Sequence, residues 1–462
     1  ECGRWAATIS TGGDRYEMIY DADGRIEGEV WPTGERVTTT FDECGRAVAR
    51  REPGRGLTRL KYDKLGRVVW SQDSWYGTRR FRYDAAGQMS EVVNAAGGVT
   101  HFAYDELGRI GEVTDPMGGV TRHTYDPMGR LLTSTDPLGR VTRYSYDAAG
   151  RVTRRVDGAG ASMSWVYDSA GRQVEEWVND TLLAATTRDF VGRTTTIVEG
   201  DARHELRFDV RGNLLWRGRG DQGVRWEYDQ NSRRTCMIRP NGQSTSYEYD
   251  ANNRVSTFIQ EGLGRVVIDR DSLGRIVSVF ADGLYASWEY ADGAVVRQRV
   301  ERNGFISESV ITRDENGRVV ADKTDGITTF YSYDQTGQLV RAQTSEGLVT
   351  TWEYDANGRM VVEDAAGTVS RFTYDAASQL VSVTNSDGTT TYAYDDAGRR
   401  VREQGPAGER RFTWDPRGFL DSITQINHDG DKVAAQTQRL WVDALGELAR
   451  VDQDSVWWDS SS

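Results

Sequence analysis

At 462 residues the chain is long enough for two or three ordinary domains, yet with 37% hydrophobic residues it is poor in apolar content for a compact body of that size. Its formal net charge of −13, with Arg recurring singly beside acidic residues, argues against a nucleic-acid binder. No run of 18 apolar residues exists to form a membrane-spanning helix, and 14 Trp and 21 Tyr are too many for a disordered chain.

An aromatic-Asp pair then returns at a nearly fixed interval of about 21 residues. It reads Tyr20-Asp21, Phe41-Asp42, Tyr62-Asp63, Tyr83-Asp84, Tyr104-Asp105, Tyr125-Asp126, Tyr146-Asp147 and Tyr167-Asp168, and the step continues to Asp189, where the aromatic is lost. Phe208-Asp209, Tyr228-Asp229 and Tyr249-Asp250 follow, then a degenerate Asp271 and a distorted copy at Tyr290 and Asp292. The last copies are Asp314, Tyr333-Asp334, Tyr354-Asp355, Tyr374-Asp375, Tyr394-Asp395 and Trp414-Asp415. The clearest carry a full Tyr-Asp-x-x-Gly-Arg signature: Tyr62, Asp63, Gly66, Arg67; Tyr104, Asp105, Gly108, Arg109; Tyr146, Asp147, Gly150, Arg151; and Tyr354, Asp355, Gly358, Arg359.

A second turn falls midway between signatures, as in Asp115-Pro116-Met117-Gly118, Asp136-Pro137-Leu138-Gly139, Asp157-Gly158-Ala159-Gly160, Asn94-Ala95-Ala96-Gly97 and Asp364-Ala365-Ala366-Gly367. Asp first, Pro second and Gly fourth predict a type I turn closed by a left-handed residue. The six or seven residues between turns, such as Val141-Thr142-Arg143-Tyr144-Ser145-Tyr146, are rich in β-branched and aromatic types and too short for a useful helix. The unit is therefore one β-hairpin. The fold class is all-β, with about twenty tandem hairpins pairing edge to edge into a long antiparallel sheet. A flat ribbon of about 40 strands would be roughly 190 Å long, so the sheet is expected to wind into a spiral or hollow shell.

Residues 1–420 read as the repeat array and 421–462 as irregular terminal repeats, because the step from Asp415 to Asp443 stretches to 28 residues. That segment reads as a terminal cap or an ordinary insertion, with a short helix conceivable over 443–451. Residues 189–324 form the other degenerate stretch, where the wall is expected to bend. Glu1-Cys2-Gly3-Arg4 matches Glu43-Cys44-Gly45-Arg46, and Trp458-Asp459 sits like a further aromatic-Asp. A fragment cut within repeats is expected, and no targeting signal is legible in it.

Tyr-Asp-Ala-Ala-Gly-Arg (146–151), Tyr-Asp-Glu-Leu-Gly-Arg (104–109) and Tyr-Asp-Ala-Asn-Gly-Arg (354–359) resemble the YD repeat of the Rhs family, which also includes the B and C components of insecticidal toxin complexes and the teneurin ectodomains. The resemblance covers essentially the whole chain. It implies a secreted or cell-surface, non-catalytic hollow β-shell. In bacterial members such a shell encloses a C-terminal toxin domain of the same parent chain. Partners would be that cargo and secretion-machinery or cell-surface components; in teneurins a similar shell serves adhesion. Asp415-Pro416-Arg417-Gly418-Phe419-Leu420-Asp421 superficially resembles the family's aspartyl autoprocessing segment, but Asp415 is also the next repeat Asp.

Other site chemistry is weak. Three cysteines (Cys2, Cys44, Cys236) are scattered and expected to be unpaired, and the four histidines (His101, His123, His204, His428) fall at different registers. The periodic Asp residues read as turn caps and not as a calcium ladder, and the periodic aromatics as cross-strand packing and not sugar platforms. The Arg after Gly is expected to pair with carboxylates of neighbouring turns. No catalytic, metal or cofactor motif is present. The leading expectation is a toxin-enclosing shell segment; the alternative is an adhesion or carbohydrate-binding ectodomain.

Overall fold

The computed structural model describes residues 7–9, 13–73, 76–200, 202–429, 432–443, 448–452 and 454–455. Cys2, the first four residues and Trp458-Asp459 lie outside them. The described residues form 44 β-strands, mostly five to seven residues long, and consecutive strands within each unit pair antiparallel. The chain divides into two compact units: residues 1–99 with 227–358, and 100–226 with 359–462.

In the first unit the strand Gly56–Tyr62 shows how the sequence sets the pleat. Arg59 and Lys61 are exposed while Leu60 and Tyr62 are half-buried, an alternation of period two. Tyr62 also marks an irregularity: Lys61 pairs with Trp70, but Tyr62 pairs with Val68, so Val69 is bulged out. The same slip occurs beside Tyr20, Tyr83, Tyr249 and Tyr333. One bulge per repeat strengthens the local right-handed twist at the same place each time. Val37 and Met237, both 1% exposed, are the most deeply buried apolar residues.

In the second unit the register slips likewise beside Tyr104, Tyr125, Tyr146 and Tyr167. Its buried aromatic residues, among those described, are Trp216 and Trp226. Gly218 and Gly223 form a cross-strand pair, and a Cβ on either would come within 2.7 Å of the Trp216 indole. The ring covers backbone that these glycines leave bare. The long terminal step is a longer hairpin, Leu420–Asp429 with Lys432–Val442, in continuous register from Ser422↔Arg439 to Asp429↔Lys432. Leu448–Val451 is a strand paired with residues 440–442, which corrects the expectation of a helix over those residues; 444–447 lie outside the described residues. Only nine apolar residues among those described are buried. That explains how so polar a composition suffices.

The turns are of two kinds. Signature turns are four-residue loops in which the Gly N–H donates to the Asp carbonyl, as Gly66 does to Asp63 at 3.1 Å, with Gly66 at φ 82°. Midway turns at 94–98, 115–119, 136–140 and 157–161 share this form. The copy at 364–367 departs from the expectation. Ala365 pairs with Thr368, and Ala366 and Gly367 both have positive φ (54° and 92°), which makes a two-residue primed turn. Asp292-Gly293, Asn303-Gly304 and Asp325-Gly326 in the first unit, and Asn179-Asp180 in the second, are built the same way.

Candidate functional site: the signature turns and strip edges

Each signature Asp is fully employed inside its own turn. Asp105 Oδ1 accepts the N–H groups of Leu107 (2.9 Å) and Arg109 (3.0 Å), while Oδ2 accepts Arg109 Nε at 2.7 Å. Asp63 with Leu65 and Arg67, and Asp147 with Ala149 and Arg151, repeat the geometry. Asp355 Oδ1 accepts the N–H of Asn357 at 2.9 Å. The Arg side-chain bond, seconded by backbone N–H groups and opposed by burial, holds the carboxyls of Asp42, Asp105, Asp147 and Asp168 below the ordinary value.

The expected Arg pairing with neighbouring carboxylates is corrected. Each Arg pairs with its own turn and reaches the next repeat differently. Arg109 lies over the Tyr125 ring at 4.7 Å and donates Nη1 to the Asp126 carbonyl at 2.9 Å. Arg130 covers Tyr146 and bonds the Asp147 carbonyl; Arg151 covers Tyr167 and bonds that of Asp168. In the first unit Arg46 covers Tyr62 and bonds the Asp63 carbonyl, and Arg67 covers Tyr83. The Tyr hydroxyl completes the staple by donating to a carbonyl of the preceding hairpin: Tyr62 to Ala47, Tyr146 to Leu131 and Tyr354 to Leu339, all at 2.8 Å. The aromatics are thus packing elements, but guanidinium groups lie between successive repeats where ring-on-ring contact was expected.

Degenerate copies keep the staple by substitution. At Asp189 the missing ring is replaced by Phe190, which lies under Arg172 at 4.5 Å, and Arg188 donates to the Gln173 carbonyl where a Tyr hydroxyl would. At Asp415 the Arg has moved to Arg417, which pairs with Asp415 at 2.7 Å and bonds the carbonyls of Val442 and Asp443. Trp414 Nε1 donates to the Arg400 carbonyl as a Tyr would. Asp415-Pro416 is thus an ordinary turn in the structure.

Within each unit the midway turns of an early strip meet the signature turns of a later one. In the first unit Glu35 accepts from Gly293 N–H (2.6 Å) and Arg275 Nη1 (3.1 Å), Gly54 N–H donates to the Asp292 carbonyl, and Asn94 Nδ2 to that of Ala356. These partners are 238 to 262 residues apart in sequence. Burial, the largest influence on the Glu35 carboxyl, pushes it up; donation from Gly293, Thr33 and Arg275 outweighs this and holds it low. In the second unit Arg140 Nη1 donates to Gln379 Oε1 at 2.8 Å and to the Asp395 carbonyl at 3.3 Å. Backbone approaches closely at these seams. A Cβ on Gly56 would sit 2.5 Å from the Asn316 carbonyl oxygen, and one on Gly119 2.7 Å from that of Ala376. Gly77 and Gly158 are tighter still. No sequence motif announces Glu35 or Arg140 as seam residues.

Cys44 and Cys236 are free thiols. Among the described residues no group of three or more His, Cys, Asp or Glu is arranged to hold a metal, and no helix is long and apolar enough to cross a membrane.

The RHS Repeat family model matches residues 83–116, 104–139, 125–162, 333–369, 362–390 and 374–410. No curated protein matches the sequence. The crystal structure of TcdB2-TccC3-Cdc42 superposes with a TM-score of 0.71 at 13% identity, over 97% of this chain and 34% of that one. That of TcdB2-TccC3 without the hypervariable C-terminal region gives a TM-score of 0.58 at 12% identity, again over 97% and 34%. The chain therefore spans about a third of those structures, and at this identity the likeness is one of fold. Residues 83–162 and 333–410 thus carry RHS repeats, and the same stapled turn recurs beyond them, at Asp63–Arg67 and Asp229–Arg233.

Proposed function

We propose that this chain is a non-catalytic stretch of wall in a secreted RHS-type polymorphic toxin, and that the wall sequesters a C-terminal toxin domain of the parent chain. The observation that carries the reading is the sealing of strip against strip. Glu35, Asn94 and Arg140, with glycines that let backbones touch, join the turn rows of successive strips. A container needs closed seams, whereas an extended adhesive array does not. The likeness to TcdB2-TccC3 supports it, because that structure is described without a hypervariable C-terminal region. The sugar-binding alternative is weakened where it would use the signature rings, since a guanidinium lies over Tyr62, Tyr125, Tyr146 and their like.

Electron microscopy of the parent protein tests the proposal. A hollow body holding extra density, with a C-terminal region protected from protease until the wall is opened, is expected. A solid or open array with a freely digested C-terminal region would overturn it.

A further inference from the structure

Away from the signature turns, the second unit gathers titratable groups out of water. His204, on the strand Ala202–Phe208, is 4% exposed. Its Nε2 lies 3.5 Å from Glu199 Oε2 and its Nδ1 4.0 Å from Asp443 Oδ2. Nε2 has no hydrogen-bond partner. Asp443 is 8% exposed, and Arg219, opposite His204 in the ladder, reaches its Oδ2 at 3.7 Å. Arg417 holds the Val442 and Asp443 carbonyls while paired with Asp415. Glu176 lies near Glu199 and Arg417; burial foremost, and the Glu199 charge with it, push its carboxyl up against Trp165, Arg417 and Gln173. Of the other charges on the adjoining strands, Arg217 shares a strand with Arg219, Arg203 adjoins His204, and Glu205 is paired with Arg207 at 2.5 Å.

Two carboxylates, Glu199 and Asp443, thus flank one buried imidazole; Arg219 and Arg417 hold Asp443 from the other side, and Glu176 and Asp415 lie beyond as neighbours of Arg417. The groups flanking that imidazole only accept hydrogen bonds. A neutral ring has one N–H to give, so one ring nitrogen must turn its lone pair on a carboxylate; an imidazolium donates from both sides. We propose that His204 is a proton-dependent tie, which on protonation bridges Glu199 and Asp443 and fastens the chain at Val442 and Asp443 to the hairpin Thr194–Glu199 and Ala202–Phe208. The tie tightens in mild acid and loosens as the imidazole loses its proton. Its pH sense is opposite to that of the signature turns, whose carboxylates must stay ionised.

Hydrogen exchange of the 462-residue chain, corrected for the intrinsic pH dependence of the amides, tests this at about pH 5.5 and about pH 8. Opening at residues 202–208 and 439–443 should be about tenfold rarer at the lower pH, the factor carried by one hydrogen bond to a charged group. His204→Gln should abolish this difference. Asp443→Asn, which keeps the side-chain shape, should do the same and decides the matter should His204→Gln fail to fold. Wild-type exchange indifferent to pH, or acid protection persisting in full in either folded variant, would overturn the proposal.

Discussion

Arg140 and Gln379 meet at 2.8 Å across 239 residues of sequence. In the usual repeat the Arg that follows Gly bonds the next signature Asp carbonyl. Gln379 stands in that place before Asp395, and its amide turns instead to the Gly398 carbonyl at 2.7 Å. Arg140, from a midway turn, supplies the missing guanidinium to Asp395. A repeat that has lost its own staple is completed by another strip.

Restoring the local staple should therefore break the seam. Gln379→Arg places a second cation beside Arg140, and like charges at that distance repel. Exchange at residues 136–140 is expected to rise by several-fold, even though the substitution returns residue 379 to the family signature. Arg140→Gln should raise exchange at 395–399 as well.

Gly158 and Gly160 occupy one turn but answer to different constraints. A Cβ at Gly158 collides with the Asp396 carbonyl, whereas Gly160 has nothing within 4 Å and a φ of 86°. Gly160→Ala should cost roughly 1–2 kcal/mol of backbone strain and stay local. Gly158→Ala should cost about 1–3 kcal/mol as overpacking and expose residues 395–399 as well as its own turn. Denaturant melts with exchange mapping distinguish the two.

The Tyr146 staple has two separable parts. Tyr146→Phe removes the bond to the Leu131 carbonyl but keeps the ring under Arg130, and should cost about 1 kcal/mol. Tyr146→Ala removes both and should cost about 3–5 kcal/mol. Equal losses in an equilibrium melt would mean that the ring contact contributes nothing.

Acid should act on the array as a whole. The carboxyls of Asp42, Asp105, Asp147 and Asp168 are held below the usual Asp value of 3.8, chiefly by their Arg partners. A lowered folded value means that their contribution is complete above about pH 5 and is lost as pH falls through the folded values. The urea midpoint followed by circular dichroism should be flat with respect to these groups down to about pH 5 and drop steeply below the usual Asp value. Asp147→Asn should forfeit its share at neutral pH already.

The hairpin unit was legible because Asp and Gly act through their own turn, within five residues, and strand alternation is equally local. Asp63, Gly66 and Arg67 close one such turn, and the Tyr62 hydroxyl reaches back to the Ala47 carbonyl. What was not legible depends on the third dimension. The direction of Arg109, toward its own Asp and the next Tyr, is set by strand spacing, and the seam roles of Glu35, Arg140 and Gly158 by turns hundreds of residues away. The primed turn at Ala366-Gly367 does not stand out in sequence, because a two-residue and a four-residue loop share the letters Asp-Ala-Ala-Gly. Phe190 takes the ring's role from the far side of Asp189, a position where the signature carries no aromatic.

The staple also has a direction. Arg reaches forward to the ring and carbonyl of the repeat that follows, and the Tyr hydroxyl reaches back to the one before. A hairpin leaving the ribosome thus finds, already waiting in the hairpin made just earlier, the Arg that covers its ring and the carbonyl that accepts its Tyr hydroxyl; only its own Arg waits for the next hairpin. Folding can keep pace with translation from the N-terminal side, one hairpin at a time, with few unpaired strand edges exposed at once. The seams, whose partners come some 240 residues later, set only when the second strip arrives.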